Sequence, residues 1–185
     1  WMPGSLTGTS VTVNPITTTV YTLTGSNGTC SNTNTVSVTV ITTPTVIAST
    51  SPTAICVGSS ATLTASGATT YTWNPGSLSG ANVTVNPTVT TTYTVVGSNG
   101  TCTDTKTVSL TVNPNPTVTA SASSTSICTG QTATLTSNGA TTYTWNPGGL
   151  TGNAVVVNPT VTTIYTVTGS SGSCTNSTTI SLTVN

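Results

Sequence analysis

The stretch T-T-Y-T-W-N-P-G occupies residues 69–76 and returns unchanged at residues 141–148. In its first half, threonine alternates with Tyr71 and Trp73 until Asn-Pro-Gly interrupts the run. A period of two places successive side chains on opposite faces of a β-strand, and Asn-Pro-Gly is typical of a tight turn. The stretch therefore predicts a strand with one apolar face. Trp73 and its copy Trp145 lie on that inner face, so we expect core residues rather than sugar-stacking ones.

The stretch belongs to a repeat of 72 residues. W-N-P-G-S-L-S-G at 73–80 is preceded by W-M-P-G-S-L-T-G at 1–8, and residues 73–113 match residues 145–185 at 28 of 41 positions without a gap. A fixed period of this length predicts small domains in tandem. The proline-rich joints I-T-T-P-T and V-N-P-N-P-T mark the boundaries, because proline removes a donor from a sheet. The expected domains are a partial unit at 1–42 and full units at 43–114 and 115–185.

The alternation continues through each full unit. The inward positions of the middle unit are Ala61, Leu63, Ala65, Val83, Val85, Tyr93, Val95, Val108, Leu110 and Val112. Turn residues separate these runs, and a strand over 44–49 brings the count to six or seven. The pattern predicts an all-β fold of two antiparallel sheets packed face to face. Tyr93 and Tyr165, which begin a late strand, are expected to make the tyrosine-corner hydrogen bond.

The composition excludes most enzyme chemistry. The chain has one Lys or Arg, one Asp or Glu and no His, whereas acid–base catalysis, metal sites and nucleic-acid binding need several such groups. We therefore expect no enzymatic activity, no cofactor, no metal and no nucleic-acid partner. Asp104 and Lys106 are expected to be a solvated surface pair. The sequence contains no apolar run long enough for a membrane span. No charged segment precedes an apolar stretch, so if the protein is exported, we expect that its signal peptide was removed or lies outside these residues.

The repeat resembles the immunoglobulin-like and PKD-like tandem repeats of large surface and secreted proteins of Bacteroidetes-type bacteria. The resemblance rests on the pattern I-C-x-G, L-T-x-x-G-A-T-T-Y-T-W-N-P-G, V-x-V-N-P-T-V-T-T-x-Y-T-V and a closing S-L-T-V-N strand, and it covers essentially the whole chain. It implies tandem immunoglobulin-like β-sandwich domains in an extracellular stalk, adhesin or fibre. The chain lacks the acidic residues with which many such stalks bind calcium between domains.

Each full unit carries two cysteines, and the partial unit carries only the second of them, Cys30. Repeated pairs in a secreted array predict disulfides. Pairing within units predicts Cys56–Cys102 and Cys128–Cys174 and leaves Cys30 unpaired. Pairing between neighbours predicts Cys30–Cys56 and Cys102–Cys128. The first scheme is preferred because small domains commonly need an internal cross-link.

The partial unit lacks its first two strands and most of its third. Its apolar face therefore has half a core, formed by Val11, Val13, Tyr21, Leu23, Val36, Val38 and Val40. We expect either that further residues precede Trp1 in a longer repetitive polymer, or that another chain donates the missing strands.

A nearly uncharged surface needs another way to remain in water or else favours association. Rows of outward hydroxyls offer sites for O-linked sugar. The candidate positions are Thr90, Thr91, Thr92, Thr107, Thr111, Thr162 and Thr163. Asparagine sequons occur at Asn27, Asn82, Asn99 and Asn176.

Together these features predict a structural protein of the cell surface or extracellular space, a segment of a stalk or filament. Its expected partners are other copies of itself, in a fibre or a longer tandem polymer. An adhesin or carbohydrate-binding module that contacts surface glycans is the alternative.

Overall fold

The computed structural model describes all residues from Trp1 to Asn185, and they form strands and turns without a helix. The first two strands, β1 (Thr19–Ser26) and β2 (Ser31–Val38), form a two-stranded antiparallel sheet. Their register runs from Thr19 opposite Val38 to Ser26 opposite Ser31. Met2 makes an isolated bridge to Thr22 of β1. No helix long and apolar enough to cross a membrane is present.

Eight strands follow and form two sheets. Their bounds are β3 Ile47–Ser51, β4 Ala54–Cys56, β5 Ala61–Ser66, β6 Thr70–Asn74, β7 Leu78–Ser79, β8 Asn82–Val85, β9 Thr91–Ser98 and β10 Thr103–Asn113. One sheet has the order β3-β5-β8 and the other β4-β10-β9-β6-β7. β4 pairs in parallel with β10, whereas β6 pairs antiparallel with β7 and β9.

The last eight strands repeat this arrangement. Their bounds are β11 Thr119–Ala122, β12 Ser126–Ile127, β13 Ala133–Asn138, β14 Thr142–Asn146, β15 Leu150–Thr151, β16 Ala154–Val157, β17 Thr163–Ser171 and β18 Cys174–Val184. The sheet orders are β11-β13-β16 and β12-β18-β17-β14-β15, and β12 again pairs in parallel with the end of β18. A three-stranded sheet opposite a five-stranded sheet with a parallel first strand is an immunoglobulin-like sandwich. The predicted fold class of tandem immunoglobulin-like β-sandwiches is confirmed.

Contacts along the chain define two compact units. The first contains residues 1–48, 65–81 and 94–106, and the second contains residues 49–64, 82–93 and 107–185. Each hydrogen-bonded sheet takes all of its strands from one of the ranges 1–42, 43–114 and 115–185. The boundaries of those ranges remain a prediction.

The core of the last sandwich shows why the alternating pattern folds. Its buried side chains are Val118, Ile127, Ala133, Leu135, Tyr143, Trp145, Val155, Val157, Tyr165, Val167 and Leu182. Trp73 and Trp145 are both 0% exposed, so the prediction that they are core residues is confirmed. The Trp145 indole Nε1–H donates to the Gly152 carbonyl at 3.1 Å, which satisfies the single polar group that this ring buries.

The tyrosine that bonds back to the main chain is not the predicted one. The Tyr143 hydroxyl accepts from the Ala140 amide at 2.6 Å and donates to the Ala140 carbonyl at 2.8 Å. Tyr71 makes the same two bonds to Ala68. The assignment of this role to Tyr93 and Tyr165 was wrong, because the sharp chain reversal that presents a free amide and carbonyl precedes β6 and β14. Burial raises the pKa of the Tyr93 and Tyr165 phenols.

Candidate functional site

One disulfide joins Cys56 to Cys174, with an S–S distance of 2.03 Å and a Cα–Cα distance of 5.5 Å. Cys56 is the last residue of β4 and lies opposite Asn113 in the parallel pairing with β10. Cys174 is the first residue of β18 and is 1% exposed. The disulfide therefore links two different five-stranded sheets.

Neither predicted pairing scheme forms, because Cys30, Cys102 and Cys128 are free thiols. Cys128 follows β12, which pairs with the last residues of β18, whereas Cys174 begins β18. An 11-residue strand separates its two ends by roughly 35 Å, while a disulfide requires Cα atoms within about 7 Å. Cys56 stands in the same relation to β10. Pairing within a unit was therefore wrong for a topological reason, and the bond instead joins the first cysteine of one unit to the second cysteine of the next.

The segment after β10 is held at several points besides the disulfide. The Asn115 amide Nδ2 donates to the Val57 carbonyl at 3.1 Å, and the Asn176 Nδ2 donates to the Pro116 carbonyl at 3.0 Å. Gly139 lies so close to Thr117 that a Cβ there would overlap the Thr117 carbonyl oxygen. The proline-rich joint V-N-P-N-P-T, residues 112–117, is thus held by Asn115 and Asn176. The sequence marked Asn176 only as a sequon and did not mark Asn115. The bonded cysteines are 118 residues apart, which is the 46 residues of a within-unit pair plus one full repeat.

The joint before β3 has a related set of contacts. The Asp104 carboxylate accepts from the Val46 amide at 2.8 Å and from the Thr105 amide at 2.8 Å. These two hydrogen bonds, and a smaller contribution from Lys106, lower the pKa of Asp104 below its ordinary value. Asp104 therefore has defined backbone partners, although we expected only a solvated pair.

Several hydroxyls proposed for O-linked sugar already bond the main chain. Thr90 Oγ accepts from the Val112 amide at 3.0 Å, and Thr162 Oγ accepts from the Val184 amide at 3.1 Å. The hydroxyls of Thr91 and Thr163 each donate to the carbonyl two residues earlier, at 2.7 Å. The remaining candidates, Thr92, Thr107 and Thr111, are exposed. Modification at these three positions disturbs no hydrogen bond of the backbone.

The sequon asparagines differ in which side-chain atom forms a hydrogen bond. Asn27 and Asn82 are exposed, and their side chains use the carbonyl oxygen as an acceptor. Asn99 Oδ1 accepts from the Thr69 amide at 3.0 Å. Asn176 instead uses its Nδ2 as a donor, and this is the atom that would carry the sugar. Glycosylation at all of these positions remains a prediction.

The last sandwich carries a groove of about 670 Å³ lined by threonine and asparagine hydroxyls and amides, including those of Thr142, Thr144 and Asn153. Both aromatic rings of the adjoining strand, Tyr143 and Trp145, are buried. The groove therefore offers polar groups without an exposed ring on which a sugar could stack. No three His, Cys, Asp or Glu side chains lie close enough together to hold a metal ion.

Comparisons with known proteins found matches among solved structures alone. No family model matches the chain, and no curated protein matches it. Among solved structures, murine CEACAM1b is 12% identical, covers 76% of this chain and 100% of its own, and has a TM-score of 0.39. The Hoc outer capsid protein of bacteriophage RB49 is 17% identical over 76% of this chain and 59% of its own, with a TM-score of 0.39. An amphioxus IgVJ-C2 molecule is 15% identical over 70% and 99%, with a TM-score of 0.32.

Proposed function

We propose that this chain is a structural extracellular protein, a repeat segment of a stalk or filament on a cell surface. The observation that supports this most directly is the Cys56–Cys174 disulfide, which joins one copy of the repeat to the next. A disulfide that persists indicates an oxidising compartment outside the cytosol. The chain has two charged side chains, one of each sign, so neighbouring copies do not repel one another.

The disulfide gives tension a short path. A pull on the two ends passes from Cys56 directly to Cys174, so the 117 residues between them bear no load while the bond is intact. Fully extended, that length of chain would measure roughly 400 Å. The cross-link therefore limits how far the protein can lengthen when a sandwich opens, which is the property that a tether needs.

Single-molecule stretching tests this role. We expect the oxidised chain to extend only by the residues outside the loop, about 68 in all, and the reduced chain to gain roughly 400 Å more. The variant Cys56→Ser should behave like the reduced chain, while Cys30→Ser, which removes a free thiol, should behave like the oxidised one. Equal extension before and after reduction would contradict the proposal.

We also propose that hydroxyls or O-linked sugar coat this nearly uncharged surface. The sites are Thr92, Thr107 and Thr111, the candidates whose hydroxyls form no hydrogen bond with a backbone amide or carbonyl. Intact-mass measurement of native material tests it, because the bare chain has a mass of 18.3 kDa. Discrete additions of hexose mass on peptides containing these residues are the expected result. If the peptides are unmodified, the sugar coat is ruled out. Side-by-side association of neutral sheets then remains as the account of how a nearly uncharged chain behaves in water.

An adhesin or carbohydrate-binding module is the second candidate, favoured by the hydroxyl-lined groove of the last sandwich. A glycan array separates the two functions. A stalk should show no selectivity, whereas a binding module should select one sugar class and lose that selectivity in Thr144→Val, whose side chain lines the groove.

A further inference from the structure

The first copy of the repeat leaves an apolar groove open. Its lining side chains, around about 260 Å³ of space, include Trp1, Val11, Val13, Tyr21, Val36 and Val38. In the third copy the residues 144 positions later are Trp145, Val155, Val157, Tyr165, Ile180 and Leu182, and they pack in one core with Ala133 and Leu135. The difference shows in exposure at equivalent positions. Val36 is exposed where Ile180 is half-buried, and Val38 is half-buried where Leu182 is 0% exposed. The groove is therefore the space that Ala133 and Leu135 of β13 fill in the complete sandwich.

The backbone beside this groove is also unpaired. In the last sandwich β13 hydrogen-bonds antiparallel to β16, with Leu135 opposite Val155 and Ala133 opposite Val157. Residues 11–13, the equivalents of 155–157, belong to no strand. Their amides and carbonyls are available to an added strand, the arrangement known as β-augmentation.

A second edge lacks its partner as well. β18 extends to Val184 because β12 pairs with its end, with Ile127 opposite Val184. β2 stops at Val38, and residues 39–41 belong to no strand. A single segment that contained the equivalents of β12 and β13 would complete both edges and fill the groove.

Cys102 points to the same segment independently. The Cys174 sulfur lies 3.9 Å from the Asn113 carbonyl oxygen and is bonded to Cys56. The Cys102 sulfur lies 3.6 Å from the carbonyl oxygen of Ile41, the residue 72 positions before Asn113, and is a free thiol. Cys102 thus occupies the position of Cys174 without the bond that Cys174 makes.

We propose that the groove, the two edges and Cys102 form one binding site for a further stretch of this repeat with the pattern of residues 54–66, A-I-C-V-G-S-S-A-T-L-T-A-S. The Ala-Leu-Ala side chains of the added strand enter the groove, and its cysteine bonds to Cys102. A small-molecule disulfide of the glutathione type serves as oxidant: the two thiols become one disulfide, and the small disulfide is reduced to two thiols. The site goes beyond a passive tether, because it is a covalent docking point for another segment of the array.

The test uses the whole 185-residue chain with Cys30→Ser and Cys128→Ser, which leaves Cys102 as the single thiol. The probe is the synthetic peptide 54–66, its cysteine blocked as a mixed disulfide with thionitrobenzoate. The Cys102 thiolate attacks the peptide sulfur, the chain–peptide disulfide forms, and coloured thionitrobenzoate leaves. Binding in the groove raises the local peptide concentration to the millimolar range, so at roughly 10 µM peptide we expect release about 100-fold faster than for an unbound peptide.

The matched control is the same peptide with L63D, which keeps the cysteine and changes only the central one of the three side chains that enter the groove. Thionitrobenzoate should be released about 100-fold more slowly from this control peptide. Hydrogen exchange at residues 10–13 and 39–41 should slow only with the native peptide. A further variant, Cys102→Ser, should keep the exchange protection and lose the covalent adduct. Equal rates for the two peptides would overturn the proposal. A dimer of the chain that blocks the peptide would also overturn it, since a second copy would then be the occupant.

Discussion

Position 169 is a glycine because two side chains approach its α-carbon. A Cβ built on Gly169 would meet the Val118 Cγ2 at 2.6 Å and the Ala140 Cβ at 2.7 Å. Both distances are well inside van der Waals contact, and Val118 belongs to the buried core. The substitution Gly169→Ala therefore adds one methyl group to a site that is already full.

The same repeat position offers an internal comparison. Gly25, 144 residues earlier, has no atom within 4 Å of a Cβ. An inserted methyl in a well-packed core costs about 1–3 kcal/mol, whereas Gly→Ala at an unstrained open site stabilises by about 0.4–1 kcal/mol through the unfolded chain. The two substitutions, identical in chemistry, should therefore change the free energy of unfolding with opposite signs.

Urea unfolding combined with hydrogen exchange provides the measurement. With a slope of about 2 kcal/mol per molar urea, a loss of 2 kcal/mol lowers the midpoint of the last sandwich by about 1 M. Exchange over residues 163–171 should accelerate in Gly169→Ala, and exchange over 19–26 should stay unchanged or slow in Gly25→Ala. Equal effects at the two positions would refute the reasoning. They would show that backbone propensity, and not contact with the core, determines how Gly→Ala changes the free energy of unfolding.

Three further outcomes are expected. Ser77 has φ +49° where the next copy has Gly149 at φ +59°, so Ser77→Gly should raise stability by up to about 1 kcal/mol, measured by thermal unfolding. Asp104 has a folded pKa below its ordinary value of 3.8. Its contribution to the free energy of unfolding is therefore present above that pH and is lost as the pH falls through the folded pKa. Stability should decline below about pH 4 in the native chain and stay flatter in Asp104→Asn, measured by urea titration at each pH; parallel curves would contradict this. Cys56→Ser should lose about 4–5 kcal/mol in the chain-entropy model, whereas Cys30→Ser should lose nothing measurable, both by chemical denaturation.

The fold could be predicted from the local pattern of apolar and polar residues, because a sandwich strand has a period of two and one apolar face. Leu63 and Trp73 alternate with threonines, and both are fully buried. The packing of two antiparallel sheets followed from the same runs and turns, since short strands separated by Asn, Pro and Gly are typical of a sandwich. The immunoglobulin-like type was what the family resemblance implied.

The cysteine pairing could not be predicted in this way. Sequence spacing says which cysteines are equivalent, but pairing depends on which ends of strands meet. β4 runs parallel to the end of β10, and this places Cys56 opposite Asn113, shortly before the predicted start of the next copy at residue 115. The same limit applies to Tyr143, whose hydroxyl partner depends on the turn before β14.

The sequence by itself determined the repeat, the inward and outward faces, the burial of the tryptophans and the scarcity of charged and titratable groups, because each is a property of residue type at a local spacing. Only the tertiary structure decided that Cys56 bonds to Cys174 and that Asp104 accepts a hydrogen bond from the Val46 amide. Those features join residues distant in the chain, and the position of such partners is set by how strands assemble rather than by the order in which they are written.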